Sequence, residues 1–116
     1  MAPTALTDWS SELKRGALEL CMLQVLRREP SYGYEIVTTM ESLGPLAAGE
    51  NTIYPLLRRL KADGLLETFL QDSPSGPPRQ YYRLTADGRR RLSSLDKEWD
   101  AMVEAVARCL RKGAGQ

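Results

Sequence analysis

Apolar positions along this chain of 116 residues change rhythm three times, and each change marks an element. Between Trp9 and Arg28 the second half of the stretch, GALELCMLQVL, is broken only by Glu19 and Gln24. A helix with that pattern has to be covered on more than one side. Glu29 and Pro30 end it, and Ser31 is placed to cap a second helix through Tyr34, Ile36, Val37 and Met40. After the loop SLGPLAAG, the residues Ile53, Leu56, Leu57 and Leu60 recur at three- and four-residue spacing, which gathers them on one helical face. Asn51, Thr52, Tyr54, Arg58, Arg59 and Lys61 are left for the rim and the outer face. Gly64 is placed to stop this third helix, since it takes the left-handed conformation of a C-terminal cap at little cost.

Beyond Gly64 the period becomes two. Leu66, Thr68 and Leu70 point one way and Glu67, Phe69 and Gln71 the other, and Gln80 to Leu84 is again strand-like. The polar segment DSPSGPP between them is a turn. Tyr81 and Tyr82 are adjacent, so one is expected in the core and the other outside, depending on register. Thr85 or Asp87 opens a long last helix, in which Leu92, Leu95, Trp99, Met102, Val106 and Cys109 alternate three and four apart as an a/d seam. The seam covers fewer than three heptads, so packing against the first helix has to supplement it. The expected fold is mainly α with a small β-hairpin: a winged helix-turn-helix DNA-binding domain over residues 9–85, and a C-terminal dimerisation helix over 86–112 packing with the first helix. The terminal helices carry more apolar surface than three short helices and a hairpin can cover, which favours a homodimer over a last helix folded back on its own domain.

Composition narrows the function. Histidine is absent and the cysteines are two, Cys21 and Cys109, far apart in helical patterns. They supply no zinc set, no Cys/His dyad and no triad, and no phosphate-binding glycine loop occurs. The reading is a non-enzymatic protein with neither metal nor cofactor, cytoplasmic, with no apolar run that approaches the roughly 20 residues of a membrane span. The net charge of +1 by itself argues weakly against a nucleic-acid partner, but its distribution says more. From Gly49 to Arg91 eight Lys/Arg stand against five acids, which leaves −2 for the remainder. Basic charge therefore gathers on the third helix and hairpin.

A third helix of this kind fits the major groove of double-stranded DNA, where side chains at the helix start read base edges. Asn51, Thr52 and Tyr54 lie at that start; the alternative is capping for Asn51 and Thr52, for Asn51 nearly on a par with base contact, and a half-buried ring for Tyr54. Arg58, Arg59 and Lys61 are expected to meet phosphates, and Arg79 at the wing a neighbouring minor groove. Tyr34 and Gln80 complete the candidate DNA-binding set. Pro55 either marks a helix start close to Tyr54 or kinks the first turn. The second reading, from another class, is a winged-helix module for protein interaction or ligand sensing in which DNA binding is weak.

Taken in order, LKRGALELCMLQVL, SYGYEI, NTIYPLLRRLKADGLL and GPPRQYYRLTADGRRRL resemble the PadR family of bacterial transcriptional regulators, in particular its small subfamily with one C-terminal helix. The resemblance covers roughly Leu13 to Leu92 and implies a homodimeric repressor on an inverted-repeat operator, often responsive to phenolic acids, drugs or other small molecules. It also implies that Trp99, at the dimer centre, either stacks on a small planar aromatic ligand or is ordinary core. Two positions depart from the family pattern: Tyr32 stands where histidine is frequent, and Gln80 where lysine is frequent in the wing. Losing that lysine removes about one phosphate contact and lowers the salt slope by about 0.9.

Overall fold

The computed structural model describes residues 2–115. In chain order it contains α1 (Ala2–Arg28), β1 (Ser31–Tyr32), α2 (Gly33–Glu41), a single 3-10 turn (Gly44–Leu46), α3 (Glu50–Ala62), β2 (Leu66–Gln71), β3 (Arg79–Leu84) and α4 (Ala86–Gly115). The fold is mainly helical with a small three-stranded antiparallel sheet of order β1-β3-β2. α1 begins at Ala2, ahead of the expected Trp9, and α4 runs past residue 112.

The sheet has one strand more than the expected hairpin. Ser31 does not cap α2: it pairs with Tyr82, is buried, and lies on the edge of β3, while Tyr32 takes the N-cap position without a side-chain cap. The free edge of β3 offers unpaired backbone groups, and the two residues after Pro30 satisfy them. β2 and β3 pair from Leu66↔Leu84 out to Gln71↔Arg79. Residues directly opposite one another share a face, so Leu66, Leu84 and Tyr82 turn toward the helices, whereas Phe69, Tyr81 and Tyr32 form a row on the outside. Tyr81 and Tyr82 are both half-buried, contrary to the expectation of one in and one out. The reason is that neighbouring rings shield Tyr81 on the outer face, Phe69 at 5.6 Å and Tyr32 at 5.4 Å between centroids. Leu70 shares the inner face but is 72% exposed, because the wing there has passed beyond the core.

The core is built where the helices converge on the sheet: Met22, Leu23 and Leu26 of α1, Ile36, Val37 and Met40 of α2, Ile53, Leu57 and Leu60 of α3, with Leu66, Leu84 and Leu92. α3 ends in a Schellman motif: Leu65 N donates to Leu60 O at 2.9 Å and Gly64 N to Lys61 O at 3.0 Å, with Gly64 at φ +78°. That turn is bolted to the start of α4. Thr85 donates from its N to Leu65 O and from Oγ1 to Gly64 O, and Oγ1 accepts from Gly88 N at 3.0 Å as the N-cap of α4.

The first half of α4 packs against α1, and the remainder projects. The radius of gyration is 16.9 Å and the extents are 61 × 34 × 23 Å, against roughly 13 Å expected for a compact 100-residue chain. Along the projecting half, Trp99, Met102, Val103, Val106 and Leu110 are exposed on one stripe, and Trp9 and Leu13 of α1 are exposed as well. Of the expected seam, Leu92 is buried, Leu95 is half-buried and the rest is open.

Candidate nucleic-acid interface

α2, the turn and α3 make the helix-turn-helix, and its outward surface is set by the side of α3 opposite Ile53, Leu57 and Leu60. Glu50 is the first helical residue and Gly49 the N-cap, with no side-chain cap. Asn51 and Thr52 therefore do not cap; both are exposed in the first turn. The helix starts five residues before Pro55 rather than near Tyr54. Since Pro55 has no N–H, the carbonyl of Asn51 lacks its usual partner four residues on and is left to other donors.

At 100° per residue the exposed positions divide into two flanks. Asn51, Tyr54, Arg58 and Lys61 follow one another three and four apart and face the wing; Thr52 and Arg59, seven apart, face α1. On the wing side, Tyr54 lies across Gly33 so closely that a Cβ there would stand 2.9 Å from its Cε1, so a larger residue at the start of α2 would have to displace the Tyr54 ring. Tyr54 then lines a groove of about 240 Å³ with Tyr32, Gly33, Tyr34, Arg79, Gln80 and Tyr82. Tyr34 is 70% exposed. The Tyr82 hydroxyl is held above its ordinary pKa, by burial first and then by the Tyr54 phenol, against the opposing pull of Arg58. Arg58 thus belongs to the same side, and it makes no ion pair among the described residues. Arg79 lies over the Tyr32 ring at 4.3 Å, and Arg83 over Phe69 at 4.6 Å while pairing with Glu67 at 2.7 Å. The aromatic row on the outer sheet face thereby holds two guanidinium groups in place.

On the other flank Thr52 borders a cleft of about 570 Å³ with Ser11, Lys14, Arg15, Pro55 and Arg59 among its walls. Arg59 departs most from the sequence reading, which gave it to phosphates alongside Arg58. Its Nη2 donates to Glu19 Oε1 at 3.0 Å, and its Nη1 lies 3.5 Å from Asp63. A buried carboxylate is the stronger attractor, because leaving it unpaired costs more than leaving an exposed arginine to water. Glu19 also accepts from Arg91 Nε at 3.1 Å. Burial raises the Glu19 pKa, but the hydrogen bonds and charges of Arg91 and Arg59 together outweigh this and hold it below the ordinary glutamate value.

Of the nine candidate DNA-binding residues, Tyr34, Tyr54, Arg79 and Gln80 share one groove, Asn51, Arg58 and Lys61 fall on the helical flank beside it, and Thr52 and Arg59 lie apart. Trp99 is 44% exposed on the α4 stripe and does not line this groove. Sequence reasoning missed Glu19, Arg91, Tyr32 and Phe69. Glu19 was visible as the lone acid in an apolar run, whereas its partners are 40 and 72 residues away. Among the described residues no three metal-ligating side chains come together, and no helix is long and apolar enough to cross a membrane.

A family model described as the transcriptional regulator PadR-like family matches residues 22–94. An uncharacterised protein of Lysinibacillus sphaericus is 32% identical over 98 residues, covering 83% of this chain and 90% of its own. Among solved structures, a PadR family transcriptional regulator from Eggerthella lenta is 36% identical with a TM-score of 0.80, covering 94% of this chain and 95% of that one. A PadR-like transcriptional regulator from Bacillus cereus is 34% identical with a TM-score of 0.79, covering 86% and 97%. Sequence match and helix-turn-helix with wing agree, and the chain belongs to the PadR-like family of transcriptional regulators.

Proposed function

We propose that the protein is a sequence-specific DNA-binding repressor, working as a homodimer on an inverted-repeat operator. The observation that carries this reading is the convergence of Tyr34, Tyr54, Arg79 and Gln80 on one groove beside Asn51 and Arg58. In this reading residues 9–85 are the DNA-binding unit: α3 enters the major groove with Asn51 toward base edges, and Arg58 and Lys61 meet phosphates on the wing side. Arg79, propped by Tyr32, reaches the adjacent backbone or minor groove. Thr52 contributes at the margin, and Arg59 braces α3 instead of touching DNA. Residues 86–112 are the dimerisation helix, and the exposed stripe from Trp99 to Leu110, with Trp9 and Leu13, is the surface that a second copy covers.

Two α3 helices related by a two-fold axis then lie about 34 Å apart, one turn of duplex. A planar ligand against Trp99 would release the operator by favouring a state whose helix separation no longer fits. The test is footprinting and anisotropy titration on duplexes beside the coding region, at several salt concentrations. Symmetric protection of an inverted repeat and a log-linear fall of affinity with salt, of the size a few phosphate contacts per subunit produce, are expected. Equal weak binding to every duplex would overturn the sequence-specific reading.

A further inference from the structure

Glu19 is a buried carboxylate that the DNA-binding surface does not use. It is 8% exposed, yet it sits on α1 inside the stretch otherwise given to the core. Its two oxygens are divided between two other helices: Oε1 accepts from Arg59 of α3 at 3.0 Å, and Oε2 from Arg91 of α4 at 3.1 Å. No buried side-chain polar atom is left without a partner among the described residues, so the network is complete as it stands. A fully satisfied network of charge-assisted bonds rigidifies and specifies one arrangement, whereas the apolar contacts around it carry no direction of their own.

The three helices have different tasks in the proposed function. α3 carries the groove-facing side chains; α1 and α4 carry the exposed apolar stripe. Elsewhere α3 is held by the non-directional packing of Ile53, Leu57 and Leu60, and at its C-terminal turn by the hydrogen bonds of Thr85 to Gly64 and Leu65, which reach only the start of α4. The Arg59–Glu19–Arg91 bridge is the side-chain link that ties the recognition helix to both helices of the pair that meets a second copy. We infer that Glu19 is a positioning residue for operator recognition: through Arg59 and Arg91 it fixes the angle of α3 relative to the dimerisation helices, and so sets the half-site spacing that the dimer accepts. This rests on the homodimeric reading given above.

The experiment measures binding of wild type, Arg91→Ala and Glu19→Gln to inverted repeats whose centre is lengthened or shortened by single base pairs. Each base pair rotates one half-site by about 34°, a large error for a rigid pair of helices. Wild type should prefer one spacing over its neighbours by about tenfold or more, and each variant should lower that ratio to about threefold or less, the size expected from losing one half-exposed ion pair. Affinity for an isolated half-site should stay within about twofold, because neither altered residue faces DNA. A purely destabilising change lowers all affinities together and leaves the spacing ratio intact, so it is told apart from positioning. If Glu19→Gln does not fold, Arg91→Ala decides, since it leaves the Arg59–Glu19 bond in place. Unchanged spacing preference in Arg91→Ala, with wild type showing one, would overturn the inference alone. No spacing preference in wild type would overturn the dimeric reading and this inference together.

Discussion

Gly88→Ala is the substitution whose sign the structure fixes against ordinary helix preference. Gly88 lies in the first turn of α4, where alanine is normally better than glycine by about 1 kcal/mol. A methyl built there would sit inside the van der Waals shell of the Leu65 carbonyl oxygen, with the Leu65 carbon at 3.1 Å and Leu84 Cδ2 at 3.3 Å. The obstacle is backbone, and it cannot rotate away. Relief requires α4 to lift from the turn after α3, which strains the bonds from Thr85 N to Leu65 O, from Thr85 Oγ1 to Gly64 O, and from Gly88 N to Thr85 Oγ1. Overpacking costs about 1–3 kcal/mol and each of the three weakened bonds about 1, so a net loss of about 3–5 kcal/mol remains after the helix-propensity gain. Gly16→Ala is the control: Gly16 is also helical, nothing lies within 4 Å of its Cβ position, and the change should stabilise by about 0.5–1 kcal/mol. Thermal and urea unfolding at one fixed protein concentration measures both. If Gly88→Ala melts at or above the wild-type temperature, the account of the α3–α4 junction is wrong.

Arg58→Ala should weaken all duplexes alike and reduce the salt slope by about 0.9 per subunit, while Asn51→Ala should also blunt discrimination between sequences. Arg59→Ala should lower the midpoint of unfolding and leave the salt slope unchanged; a slope reduced as much as by Arg58→Ala would return Arg59 to the DNA surface. Val106→Asp puts a charge in the exposed stripe of α4, and sedimentation should then find monomers at concentrations where wild type is dimeric. Because Glu19 has a folded pKa below its ordinary value, its contribution is fully present above about pH 5 and is lost as pH falls through the carboxylate range toward the folded value. Glu19→Gln should flatten that part of the stability–pH curve; identical acid limbs in the two proteins would sink the assignment.

The elements were legible because each has a local cause. Ile53, Leu57 and Leu60 mark α3, Gly64 its end, and the change to a period of two marks the wing; all three hold in the fold. Three things escaped because their causes are distant in sequence. β1 is two residues long and exists only because β3 has an edge to fill. Arg59 was indistinguishable from Arg58 until Glu19 was seen beside it. The aromatic row of Tyr32, Tyr81 and Phe69 depends on the register of three strands, which no single stretch encodes.

Pairing also alters what the basic segment can contribute to DNA. Eight Lys/Arg lie between Gly49 and Arg91, but Arg59 and Arg91 are spent on Glu19, Arg83 on Glu67 and Arg90 on Asp87. Arg89 lies beside Gln24 and Arg27 on the α1–α4 side, away from the wing groove. Arg58, Lys61 and Arg79 are left to face a phosphate backbone. At about 0.9 per neutralised phosphate, three contacts predict a slope of about −2.7 per subunit and about −5.4 for a dimer, where the raw count of eight would give about −14. A molecule of net charge +1 is therefore expected to bind DNA with a modest slope, because most arginines of its basic segment are held in ion pairs within the fold. A measured slope near −14 would mean that the ion pairs open on DNA and that Glu19 releases Arg59; a slope near −5 would mean that they persist in the complex.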